Sequence, residues 1–78
     1  MDANDATVIS TRAVLERVGK NIEEHRERAG LTQQGLADRA DRVFLSKVEN
    51  GSRNSSVLFL AKLAHPMNVA AGALVQGV

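Results

Sequence analysis

Residues 31–51 read LTQQGLADRADRVFLSKVENG, and they contain two short helical patterns with a tight turn between them. Thr32 is a favourable capping residue, and it precedes a predicted helix over residues 32–40. A second predicted helix follows closely, with Leu45 and Val48 on its apolar side, and an asparagine-glycine pair ends it. Because the two helices are short and adjacent, the stretch predicts a helix-turn-helix unit.

Helical spacing continues before this unit. The first predicted helix is capped by Thr11 and ends at Gly30. Its packed face is formed by residues at steps of three and four, namely Val14, Val18, Ile22, His25 and Ala29. Residues 1–10 are small, polar and aperiodic, so we expect a flexible N-terminal tail before a domain of residues 11–78.

Helical spacing also continues after the unit. A fourth helix is predicted with Asn54 or Ser55 as its cap, and Pro66 is expected to break it because proline lacks an amide hydrogen. The apolar segment 69–78 predicts a weak fifth helix with Leu74 as its anchor. The predicted inward face of the fourth helix consists of Val57, Leu60, Ala61, Leu63 and Ala64. No segment alternates with period two, so the predicted fold class is all-α, a compact bundle of four to five helices.

The composition excludes several classes of protein. A chain of 78 residues forms one domain at most, and a domain of this size often needs association to become stable. The absence of cysteine excludes disulfides and thiolate metal sites, and it fits a cytoplasmic protein. No apolar run approaches a membrane span, and no signal peptide is recognisable. Because no catalytic set or phosphate loop is visible, we predict no enzyme, cofactor, metal site or small-molecule ligand.

Charge is distributed unevenly, which fits a polyanionic partner, although this feature alone favours ordinary surface charge. The net charge is −2 over residues 1–38 and +3 over residues 39–78. The outward face of the second motif helix carries side chains that suit the major groove of DNA. We therefore predict base contacts by Arg42, Val43, Ser46 and Lys47. The alternative is an ordinary solvated helix face.

The motifs of the chain resemble those of the lambda-repressor-like, xenobiotic-response-element type of helix-turn-helix regulator. The matching strings are LTQQGLA at residues 31–37, LSKVENGSRN at residues 45–54 and V-x-x-L-x-x-L-A at residues 57–64. The resemblance covers about residues 14–75. It implies a DNA-binding fold whose helix-turn-helix is formed by helices 2 and 3, and a cytoplasmic transcriptional regulator or repressor acting on double-stranded DNA.

The resemblance also implies roles for particular residues. It makes Arg26 and Glu49 a structural ion pair between the first and third helices. The string Arg53-Asn54-x-Ser56 is similar to the controller proteins of restriction–modification operons. The implied contacts to DNA phosphates are made by Thr32, Gln33, Arg53 and Asn54.

One part of the motif departs from the family pattern. The segment from Ala40 to Ser46 is two residues shorter than usual. Two explanations are open: the second helix ends early, near Asp38, or the recognition helix is tilted.

A homodimer is predicted from the C-terminal half. Members of the family pair through C-terminal helices, and two-fold symmetry matches a pseudo-palindromic operator. Leu58 and Phe59 are predicted to point away from the core and to form a dimer interface with Leu74. The alternative places Phe59 in the monomer core. Two other functions remain open, an antitoxin of a toxin–antitoxin operon and a helical interaction module that has lost DNA binding.

Overall fold

A computed structural model describes the backbone of residues 3–78 and the side chains of residues 11–38 and 41–78. The described chain is all-helical and contains no strand. Four α-helices are followed by a short 3-10 helix, and their bounds are α1 Ala3–Arg28, α2 Gln33–Leu36, α3 Arg39–Glu49, α4 Val57–Met67 and the 3-10 helix Ala71–Val75. The all-α prediction is therefore confirmed, and the weak fifth helix is reduced to a 3-10 turn.

Helix α1 is longer than predicted. It begins at Ala3, so Thr11 lies inside the helix and the expected start there is wrong. Of the predicted tail, residues 1 and 2 lie outside the described residues and residues 3–10 are helical. The physical reason is that residues 3–10 contain neither glycine nor proline, the two residues least favourable inside a helix.

The C-terminus of α1 follows the prediction. Gly30 has a positive φ of 72°, and its amide donates to the Glu27 carbonyl at 3.0 Å. The Leu31 amide donates to the Arg26 carbonyl at 3.1 Å. These two bonds form a Schellman motif, which glycine permits because it has no Cβ. The chain therefore turns sharply from α1 into the helix-turn-helix unit.

The shortened segment is explained by an early end of the second helix. Thr32 caps α2, with its Oγ1 accepting a hydrogen bond from the Gly35 amide at 2.9 Å, as predicted. However, α2 ends at Leu36, and Asp38 caps α3 by accepting from the Asp41 amide at 2.9 Å. The predicted extent of residues 32–40 is therefore wrong, because aspartate is a strong capping residue that starts a new helix.

Helix α4 differs from the prediction at both ends. Its cap is Ser56, whose Oγ accepts from the Phe59 amide at 3.0 Å, and not Asn54 or Ser55. Pro66 does not break the helix, which continues to Met67. A proline this close to the C-terminus removes only one hydrogen bond, and the helix ends one residue later at Met67, with the left-handed Asn68 as its C-cap.

The buried face of α4 agrees with the prediction only in part. Met67 joins the core, while Val57 is 78% exposed and Ala61 is also exposed. The predicted inward positions of Val57 and Ala61 are therefore wrong, whereas Leu60, Leu63 and Ala64 are buried as predicted. The core consists of Ile22, Leu36, Ala37, Leu45, Val48, Leu60, Leu63, Ala64, Met67 and Leu74.

A buried amide fixes the C-terminal segment to α1. Asn21 Nδ2 donates to the carbonyl of Leu74 at 3.2 Å and to that of Gln76 at 2.8 Å. Leu74 is fully buried in the core of its own chain. Its predicted place in a dimer interface is therefore wrong, since the 3-10 helix turns this side chain inward and no surface of it remains for a partner.

Candidate nucleic-acid interface

Helix α3 separates a buried face from an exposed face. Leu45, Val48 and Glu49 point into the protein, so the opposite side of the helix meets solvent. Arg42, Ser46 and Lys47 are exposed, and Val43 is 58% exposed. Together with Gln33 of α2, these four predicted base-contact residues line one shallow, open depression, comprising Gln33, Arg42, Val43, Ser46 and Lys47. The structure thus brings all four together and places the predicted phosphate ligand Gln33 beside them.

The positively charged side chains of α3 and α4 differ in whether they form ion pairs. Among the described side chains, neither Arg42 nor Lys47 forms an ion pair. Lys62 of α4 does form an ion pair, with the Asp41 carboxylate at 3.1 Å, and this pair links α4 to the first turn of α3. An exposed guanidinium and an exposed ammonium without a described counter-charge are suited to DNA phosphates or guanine edges.

The remaining predicted phosphate ligands lie elsewhere. Arg53 and Asn54 are exposed in the loop between α3 and α4. They line a second, mostly apolar cavity that is bounded by α1 and the C-terminus, and not the depression on α3. Thr32 is exposed, and its hydroxyl oxygen serves the α2 cap. The predicted phosphate ligands therefore do not form one cluster, and Gln33 alone joins the α3 surface.

A buried ion pair supports the surface from below. The Glu49 carboxylate accepts from Arg26 Nε at 2.8 Å and from Arg26 Nη2 at 3.1 Å, a bidentate arrangement. The side chain of Arg26 is only 14% exposed, and that of Glu49 only 3%. Hydrogen bonding to Glu49 is the main cause that raises the pKa of Arg26 above its ordinary value, so the guanidinium stays charged. Arg26 Nη1 also donates to the Leu31 carbonyl at 2.9 Å.

Gln33 belongs to the same network, which the sequence motifs did not indicate. Its Nε2 donates to Glu49 Oε1 at 2.9 Å, so α1, α2 and α3 meet at one carboxylate. Gly19 was also missed as a structural residue. It lies where α1 approaches the Val48 and Glu49 main chain so closely that no Cβ fits. A glycine inside a strong helical pattern is the only signal that could have indicated this contact.

The predicted dimer residues are placed differently from one another. Leu58 is 80% exposed on α4. Phe59 is half-buried, and its ring packs edge-on against Phe44 of α3 with centroids 5.0 Å apart. The prediction that Phe59 points away from the core is therefore met only in part, because part of its ring packs against α3. Leu58 remains the exposed apolar residue of the predicted set.

The described residues form neither a metal-binding group nor a membrane-spanning helix. No group of three or more acidic or histidine side chains there is close enough to hold a metal ion. None of the described helices has the length and apolar content that crossing a bilayer requires.

The comparison with known families agrees with the geometry of α2 and α3. A family model described as helix-turn-helix matches residues 22–74, which includes α2, α3, α4 and most of the 3-10 helix. The chain therefore belongs to the lambda-repressor-like helix-turn-helix family of DNA-binding regulators, which are generally not enzymes. No curated protein sequence matches the chain.

Proposed function

We propose that the protein is a sequence-specific transcriptional regulator that places α3 in the major groove of double-stranded DNA. The observation that carries this proposal is the outer face of α3, where Arg42 and Lys47 are exposed beside Val43 and Ser46. Cations and hydroxyls reach base-edge acceptors, and an exposed valine suits a thymine methyl group. Thr32, Gln33, Arg53 and Asn54 would contact phosphates and fix the register of the helix.

The proposal also includes a homodimer. Two copies would bind a pseudo-palindromic operator and act in the cytoplasm as a repressor. The narrower role, control of a restriction–modification operon, rests on Arg53 and Asn54, since Ser56 is accounted for by the α4 cap. A footprint of the protein on DNA upstream of its own reading frame tests this role. Protection of that stretch supports autoregulation, and its absence contradicts it.

Binding to duplex DNA is tested by a salt titration. We expect the affinity for a random duplex to fall steeply as salt rises, because lysine and arginine contacts release counterions from DNA. Fluorescence anisotropy with a labelled duplex measures this slope. Binding that is absent, or that does not depend on salt, would show that the helical unit serves another partner.

Base reading by α3 is tested by substitution of its two cations. Arg42→Ala and Lys47→Ala should each weaken operator binding by ~1–3 kcal/mol and relax the sequence preference, because a guanine contact is lost. Gln33→Ala should weaken operator and random DNA alike, since a phosphate contact carries no sequence information. Competition assays with both duplexes measure the difference. Equal behaviour of all three variants would contradict the proposed position of the recognition helix.

The homodimer is tested at the exposed apolar residue of α4. Leu58→Asp should give a monomer with reduced operator affinity, because a charge in an apolar interface is costly to desolvate. Val57→Asp is the matched control, since Val57 is equally exposed on the same helix but lines the cavity beside α1. Sedimentation at micromolar concentration measures both. A monomeric wild type, or a dimeric Leu58→Asp variant, would place the interface elsewhere or exclude it.

A further inference from the structure

The Glu49 carboxylate joins the interior of the protein to the proposed DNA surface. One side chain, Arg26, reaches it from α1 and is almost completely enclosed. The other, Gln33, reaches it from α2 and is only half-buried, at the depression that also holds Arg42 and Lys47. A single buried group therefore contacts both the core and the surface that is proposed to meet DNA.

The chemistry of the contact fixes how Gln33 is presented. A side-chain amide has two N–H donors on one end and an acceptor oxygen on the other. An ionised carboxylate only accepts hydrogen bonds, so Glu49 selects the Nε2 end of Gln33. One of the two Nε2 hydrogens is used by this bond, and the second remains for a further acceptor. A flexible side chain is thus held in one orientation before any DNA arrives.

We propose that Glu49 is a positioning residue for DNA binding, which holds the Gln33 amide so that its second Nε2 hydrogen meets a phosphate oxygen. Glu49 itself does not touch DNA in this arrangement. The inference rests on the proposed function, since it assigns a cause to the phosphate contact of Gln33. It also explains why one acidic group lies directly beneath a surface meant for a polyanion: Arg26 neutralises the charge, and Oε1, which accepts from Arg26 Nη2, also accepts from Gln33 and so orients its amide.

A double-mutant cycle tests the coupling. In Glu49→Gln the side chain keeps its size but loses its charge, and an NH2 group replaces one of its two oxygens. The bonds that Arg26 Nε and Gln33 Nε2 make to different oxygens of Glu49 therefore cannot both persist. We expect Glu49→Gln and Gln33→Ala each to weaken binding to a random duplex about fivefold, the value of one ordinary hydrogen bond. The double variant should bind no more weakly than Gln33→Ala alone. Losses that multiply would overturn the proposal, because the two residues would then act independently.

A second variant separates positioning from stability. Arg26→Lys disrupts the bidentate ion pair but leaves the carboxylate free to hold Gln33. It should lower the melting temperature, as Glu49→Gln does, yet bind random duplex within about twofold of wild type. Circular dichroism melts identify a temperature at which every variant is folded, and all affinities are measured there. If Arg26→Lys weakens binding as much as Glu49→Gln, the effect of Glu49 is general stability and the positioning role is excluded.

The free protein offers a readout that does not involve DNA. In wild type, the Gln33 side-chain amide hydrogen that is bonded to the carboxylate should have an NMR shift downfield of its value in a solvated glutamine. In Glu49→Gln this shift should move towards the value of a solvated glutamine. Solvent-like shifts in wild type would overturn the proposal. A wild type that binds no duplex overturns the proposed function and this inference together, whereas multiplying losses overturn the inference alone.

Discussion

Replacing Glu49 by alanine is expected to lower the free energy of unfolding by about 3–5 kcal/mol. The substitution leaves the Arg26 guanidinium in a nearly enclosed site without its counter-charge, and it also removes the acceptor of Gln33. A chain of this length has a total stability of about 4–12 kcal/mol, so the variant loses a large share of it. Urea denaturation monitored by circular dichroism measures the change.

The chain supplies a matched control for this substitution. Glu16 also accepts from an arginine, Arg12 at 3.2 Å, but both side chains are largely exposed on α1. Glu16→Ala should change stability by about 0.5 kcal/mol or less, because solvent already screens such a pair. A double-mutant cycle of Glu49→Ala with Arg26→Ala should show strong coupling. Coupling near zero, or equal effects at Glu49 and Glu16, would contradict the buried ion pair.

Gly19→Ala is expected to destabilise the protein by about 1–3 kcal/mol, although alanine ordinarily stabilises a helix relative to glycine. A Cβ at this position would lie 2.5 Å from the Val48 carbonyl oxygen and would also overlap the carbonyl of Glu49. Both atoms belong to the main chain of α3, so neither can rotate away. Helices α1 and α3 would have to separate, and DNA binding should weaken because α3 moves.

The sign of the Gly19→Ala effect decides whether this close approach exists. Gly72→Ala is the control, since a Cβ there meets nothing within 4 Å and the backbone does not require glycine. It should change stability by less than about 0.5 kcal/mol. Thermal melts of the two variants against wild type give the comparison. A gain in stability for Gly19→Ala, as an exposed helix position would give, would show that α1 and α3 lie farther apart.

Local patterns predicted the helix-turn-helix unit because its signals act over a few residues. Thr32 and Gly30 lie at the helix ends that their chemistry favours, and Leu36, Leu45 and Val48 are buried as their spacing indicates. Each of these preferences involves neighbours within about one turn of the helix. The membership of the chain in the family therefore followed from residues that are close together in sequence.

The misplaced boundaries reflect competition between equally good local signals. Asn54, Ser55 and Ser56 are all acceptable caps, and only the packing of α4 selects Ser56. Asp38 similarly competes with the continuation of α2. Pro66 is predicted from its chemistry to break the helix, but its cost is small where the helix is about to end.

The contacts that were missed join segments far apart in the chain. The bonds of Asn21 to the C-terminal segment cross more than 50 positions, and those of Glu49 to α1 and α2 depend on how three helices meet. Helical periodicity carries no information on such meetings. This is also why the position of Leu74 could not be predicted. An apolar side chain suits a core and an interface equally well, and only the tertiary packing of its segment decides between them.

The two-residue connection between α2 and α3 bears on how quickly the protein can engage its target. Capping bonds at Thr32 and Asp38 hold both helices, and the buried Ala37 donates its amide back to the Gln33 carbonyl at 2.9 Å. We therefore expect the pair to dock as one unit, with its ordering entropy spent during folding and not during docking. For the proposed function, a unit that needs no slow rearrangement after encounter would have an association rate governed by diffusion and electrostatic steering. The lifetime of the complex would then carry the discrimination between DNA sites.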